Sequence, residues 1–146
     1  MPLAFTIDRQ DGALLVGDRR LTGGQRRREI ERALGAHVMG GRDFGNGYAW
    51  LDLEGLAFGG HPAWLSLCFL HGRLSEASWS VALPEAPDGW PTREAIDAEI
   101  AFVRTVLANE IGFASPDGSM TFPWGEVWSQ FDPKGDLAAN GIRYRR

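Results

Sequence analysis

A chain of 146 residues, 44% apolar and 23% charged, has the composition of one soluble globular domain and is long enough to bury its own core without a disulfide or structural metal. Its single cysteine, Cys68, excludes an internal bridge. The balance of 19 acidic against 15 basic residues, net −4, argues against a general binder of nucleic-acid backbones.

The opening, MPLAFTIDRQDG, lacks the basic start and unbroken apolar run of a secretory signal, which predicts a cytoplasmic protein. Leu3, Phe5 and Ile7 alternate, and RQDG turns the chain into ALLV, predicting a hairpin. Thr22, with Gln25 three residues on, reads as a capping box for a short helix that carries Ile30, Ala33 and Leu34 and stops at Gly35. The run RRRE at 26–29 is a charge cluster on that helix, a solvated face by default and a small basic docking patch as the alternative.

From Ala36 to Leu83 the pattern predicts strands: HVM, a glycine-rich loop GGRDFGNG, YAWLDLE, a second loop GLAFGGHP, then AWLSLCFL and LSEASWSVAL joined by HGR. GLAFGGHPAWLSLCFLHG is free of Asp, Glu, Lys and Arg, but its glycines, proline and histidines do not suit a membrane span. A three-residue loop around Gly72 is predicted, because it sets Leu65, Leu67 and Phe69 on the same face as Ala77, Trp79 and Val81. PEAPDGWP reads as a linker. Thr92 then caps a long helix ending at Gly112, with Ile96, Ile100, Val103, Leu107 and Ile111 in one stripe. The chain closes with TFPWGEVWSQFDPKGD and GIRYR, a hairpin whose turn is Asp132, Pro133, Lys134 and Gly135.

Alternation sorts the strands into two faces. Leu51, Leu53, Leu65, Leu67, Phe69, Trp79, Val81 and Leu83, with Val127 and Phe131, form an aliphatic face for the long helix. The other face collects Tyr48, Trp50, Asp52, Glu54, Trp64, Ser66, Cys68, Glu76, Ser78 and Ser80, and from the C-terminal hairpin Phe122, Trp124, Glu126, Trp128 and Gln130. Only one helix is long enough to blanket a sheet, so this second face is a candidate binding surface, where Trp beside carboxylate suits a cationic partner group. Packing of the same rings against loops is the structural alternative.

Catalytic signatures are sparse. His37, His61 and His71 have no metal-site spacing, GRDFGNG lacks the third glycine of a dinucleotide fingerprint, and there is neither a P-loop nor a nucleophile elbow. Cys68 lies mid-strand between Leu67 and Phe69, a poor setting for a nucleophile. The carboxylate candidates are the Asp52 and Glu54 pair, Glu126 between two tryptophans, and Glu99 on the apolar side of the long helix. No cofactor, metal site or catalytic set is predicted.

The segment FPWGEVWSQFDPKG followed by GIRYR resembles the ends of small, uncharacterised proteobacterial proteins with a Trp-Gly, Ser, aromatic-Asp hairpin and a closing Arg-Tyr. In size, acidity and layout the chain is also similar to the immunity proteins of bacterial toxin systems, a resemblance that implies tight binding rather than catalysis. The expectation is one α+β domain over 1–146, an antiparallel twisted sheet with one long helix on one face and a short helix on the N-terminal side. Its expected function is non-catalytic binding of a basic protein through Trp124, Glu126 and Trp128, with Trp50, Asp52, Glu54 and Trp64 adjoining. A small-ligand binder or carboxylate-using enzyme, and a homodimer joined through that face, are the alternatives; nucleic acid and membrane are not expected partners.

Overall fold

A computed structural model describes residues 2–84 and 91–145, so most of the PEAPDGWP linker lies outside the described residues. The fold is α+β. Ten strands and two α-helices run in the order β1 (Leu3–Ile7), β2 (Leu14–Val16), β3 (Arg19–Leu21), α1 (Arg27–Leu34), β4 (Val38–Asp43), β5 (Tyr48–Phe58), β6 (His61–Leu70), β7 (Arg73–Val81), α2 (Arg93–Ile111), β8 (Ser119–Phe122), β9 (Gly125–Asp132) and β10 (Leu137–Tyr144). They form one sheet ordered β3-β2-β1-β5-β6-β7-β10-β9-β8, with β4 also paired to β5. The pairings are antiparallel except for the short parallel contact of β1 with β5.

The helix α2 forms where its sequence places it. Thr92 Oγ1 accepts from the Ala95 N–H at 3.1 Å, and Gly112 closes the other end in the left-handed region at φ 72°. Its buried residues are Ile96, Ile100, Val103, Leu107 and Ile111. Beneath it the sheet presents Phe5, Phe58 and Trp79 with ring centroids 5.4 to 5.7 Å apart, and Phe102 adds an edge-on contact to Phe58. Ile30 and Leu34 of α1 join this cluster, so both helices cover the aliphatic side.

Several boundaries differ from the sequence reading, each for a local reason. The Gln25 side chain does accept from Thr22 N–H, yet α1 begins only at Arg27, because Gly24, Gln25 and Arg27 exchange backbone hydrogen bonds with Gly72 and Leu74. The glycine-rich GGRD pairs as part of β4, leaving a loop only from Phe44 to Gly47. GLAF is not a loop either; β5 continues through a bulge between Leu53 and Leu56, with Gly55 at φ 75°. The turn at His71 and Gly72 holds two residues, both at positive φ, and a bulge between Cys68 and Phe69 restores the parity that a two-residue turn would have lost. Leu65 therefore faces Trp79 and Leu67 faces Ala77, as the apolar pattern requires.

Polar groups fix how α2 sits on the sheet. Asn140 on β10 is buried; its Nδ2 donates to Glu99 Oε2 at 2.9 Å and to the Trp79 carbonyl at 3.2 Å, and its Oδ1 accepts from Ser129 Oγ at 2.8 Å. Arg104 Nε donates to the Ser129 carbonyl at 2.8 Å. At the other end of α2, Glu110 Oε1 accepts from Ile7 N–H at 2.9 Å, tying the helix to β1. Burial raises the pKa of both Glu99 and Glu110 above the usual 4.5, opposed by those hydrogen bonds.

Replacing Asn140 by Ala leaves the Glu99 carboxylate with only the longer Val81 N–H contact at 3.4 Å and removes the side-chain donor to the Trp79 carbonyl; it should cost about 2 to 3 kcal/mol, read from urea unfolding at pH 7. Because the folded state holds protons on Glu99 and Glu110 more tightly than the unfolded chain, their contribution is full below about pH 4.5 and lost as pH rises through the elevated folded values. Glu99→Gln should therefore flatten the loss of stability between pH 5 and pH 7.5, measured by urea midpoints of wild type and variant at both values.

Candidate functional site

The face opposite the helices is floored by small side chains. Strand pairing sets Asp52 beside Ser66, Ser66 beside Ser78, Ser78 beside Gly141 and Gly141 beside Trp128, a row crossing five strands. At about 4.8 Å per strand the row is roughly 19 Å from Asp52 to Trp128. Trp50 and Cys68 head the next row, and Trp64 pairs with Ser80 on the other side. Among the described residues neither helix lies over this face.

Tryptophans stand above that floor. Trp64 is 43% exposed, and Trp128 lies flat over Gly141, where a Cβ would overlap its indole. Two adjoining concavities, of about 290 and 340 Å³, share Ser66 and Ser78. Trp64, Trp128 and Leu137 border the first; Arg42, Phe44, Trp50 and Asp52 border the second. Together they make an open groove with aromatic walls and a hydroxyl floor, in which Ser66 Oγ donates to Asp52 at 2.7 Å.

Carboxylates outnumber guanidiniums here: Asp52, Glu54, Glu76 and Glu126 against Arg42 and Arg143. Arg143 lies between Glu76 and Glu126, at 3.1 and 4.0 Å, and over the Trp128 ring at 5.3 Å. Glu126 also accepts from Ser119 Oγ at 3.1 Å. Cys68, on this same face, is 4% exposed; burial, with the nearby Glu76 charge, pushes its thiol pKa up and keeps the weakly nucleophilic thiol form. Glu54 is exposed at the β5 bulge, and its carbonyl contacts His37 Nδ1 at 3.0 Å. Among the described residues no three His, Cys, Asp or Glu side chains converge as a metal site would, and no helix is long and apolar enough to cross a membrane.

The residues singled out in sequence do not all meet. Trp50, Asp52, Trp64, Glu126 and Trp128 share the open face, with Glu54 at its rim. Trp124 does not join them. It lies in the turn between β8 and β9, stacked on Phe122 at 4.7 Å and packed over Gly12, with its Nε1 donating to the Arg9 carbonyl at 3.3 Å. The turn holds two residues, Pro123 and Trp124, so Phe122 pairs with Gly125 and points to the core side along with Met120. Arg143 was expected in sequence as an ion-pair partner for these carboxylates, and the C-terminal hairpin sets it opposite Glu126; what sequence reasoning missed is its contact with Glu76, which exists because β10 inserts between β7 and β9.

No family model matches the chain, and no curated protein matches it. A solved structure does. The fold is similar to that of a chain in the structure described as "Rhs1-CT in complex with cognate immunity protein RhsI1", with a TM-score of 0.56 and 14% identity over 97% of this chain and 87% of that one. The likeness is one of fold.

These placements separate structural from surface tryptophans. Trp124→Ala should lower stability by about 2 kcal/mol, since it empties a stack against the N-terminal hairpin. Trp64→Ala should change it by less than about 1 kcal/mol, because much of the ring is already in water. Thermal melts of the two single variants test the contrast.

Proposed function

We propose that this chain is a non-catalytic binding protein of the immunity type, which masks a basic protein partner with its open sheet face. The observation that carries the reading is the uncovered groove across five strands, walled by Trp50, Trp64 and Trp128 and floored by Ser66, Ser78 and Gly141. Tryptophan is the residue type most enriched at the energetic centres of protein interfaces, and small floor residues let a partner side chain approach the backbone. Asp52, Glu54, Glu76 and Glu126 give the face an acidic excess, which steers Arg- or Lys-rich surfaces toward it. The fold similarity supports the same reading, since that structure holds an immunity protein in complex with Rhs1-CT.

In this reading Trp64 and Trp128 are the anchors, with Trp50, Asp52 and Glu126 around them and Glu54 at the margin. The groove is open along its length, a shape that suits an inserted loop or side-chain row better than an enclosed small molecule. Self-association through the same face is the competing use, and sedimentation at micromolar concentration reads it directly.

The test pairs wild type with the Trp64→Ala/Trp128→Ala variant as baits in lysate of the source organism, followed by titration of the purified partner. The expected result is a partner of net positive charge bound about 30-fold or more weaker by the variant, which should remain folded by circular dichroism. Equal affinity for both baits would overturn the assignment of the face.

A further inference from the structure

Beyond the groove, the start of α1 and the turn between β6 and β7 border a separate open concavity of about 560 Å³ whose walls include Arg26, Arg27, Arg28, Glu31 and Arg73. Backbone pairing holds these groups together: Arg27 N–H donates to the Gly72 carbonyl at 2.9 Å, Leu74 N–H to Gln25 at 2.8 Å, and Arg26 faces Arg73 across an isolated bridge. Like charges directly opposite one another destabilise a strand pair. Here the fold places two guanidinium side chains at that position in a chain whose net charge is −4.

Local carboxylates do not neutralise the cluster. Glu31 pairs with Arg27, while among the described residues Arg26 and Arg28 form no ion pair and Arg73 donates only to the Gly24 carbonyl at 3.1 Å. Three exposed guanidiniums without an ion pair among the described residues thus line a cup of ligand size. Planar guanidinium forks match phosphate oxygens in pairs, and several converging on one cup favour an anion carrying more than one phosphate. Beside the cup lies a second concavity of about 430 Å³, which shares His71 and Arg73 and is walled by Leu70, Leu74 and Tyr144. Its apolar lining is of a size to take a planar ring attached to those phosphates.

We infer that the Arg26, Arg28 and Arg73 cup is a binding site for a polyphosphate anion, either free or as the phosphate chain of a nucleotide. The site uses none of the groove residues and stands whether or not that face binds a protein.

Isothermal titration at fixed ionic strength tests it, with tripolyphosphate and with ATP as probes. Wild type should show saturable one-to-one binding. Arg26→Ala/Arg73→Ala should weaken it at least about tenfold. Arg19→Ala/Arg93→Ala, which removes the same charge elsewhere, should leave it unchanged. Tighter binding of ATP than of tripolyphosphate would assign the ring to the adjoining concavity, and equal binding would assign the site to the phosphates alone; both support the cup. Absence of heat with both probes, or equal weakening in the two double variants, would overturn it. Circular dichroism melts of both variants establish that each is folded before titration.

Discussion

The architecture turns on how α2 is held against one side of the sheet. A stripe of five aliphatic residues supplies the burial, but apolar contact alone tolerates sliding. The buried Asn140 side chain removes that freedom. Its amide must serve the Glu99 carboxylate on the helix and the Trp79 carbonyl on β7 together, while its oxygen takes the Ser129 hydroxyl from β9. Polar groups buried so deeply are costly in any other register, so they select one arrangement among the many that would bury the same area. Glu110 repeats the device at the far end of the helix, on β1.

With both helices committed to one side, the other side of the sheet is left to its own side chains. Its residues alternate with the core set strand by strand, so every buried Leu on β5 and β6 is accompanied by a neighbour that faces outward. Along the groove those neighbours are Trp50, Asp52, Trp64 and Ser66. Serines in the middle of a sheet contribute little to packing, and their small size is what opens the groove between the indoles. Trp128 can lie flat across β10 only because position 141 is glycine. The open face therefore follows from the same periodicity that builds the core.

Much of this was legible in the sequence, though unevenly. The long helix, with Thr92 and Gly112 at its ends and its stripe between, follows from local chemistry that tertiary contacts reinforce. The faces of β5, β6 and β7 were equally readable, because a long alternation overrides uncertainty about any one turn. Strand β3, with the sequence RRL, was not, since it offers one apolar residue. Only the start of β4, within HVM, was readable; its GGRD half hid behind glycines that look like a loop and pair because β5 supplies a partner. Phe122 and Trp124 were misassigned because their orientation depends on counting the turn residues at Pro123 and Trp124 as two. The contact of Arg143 with Glu76 was beyond reach: it depends on strand order, which periodicity does not encode.

The position of β10 has a consequence for how the protein comes into being. The described strand latest in the chain sits inside the sheet, hydrogen-bonded on one side to β7 and on the other to β9, and carries the Asn140 that fixes the helix. Its Tyr144 hydroxyl donates to the Gly12 carbonyl at 2.7 Å, joining residues 132 apart in sequence. The sheet can therefore join its two halves only after β10 has been synthesised. Until then β7 and β9 expose unpaired edges and the apolar stripe of α2 lacks part of its seat. Contacts of such long sequence separation slow folding. For this protein the interval between synthesis and closure is when it is most exposed to aggregation and proteolysis.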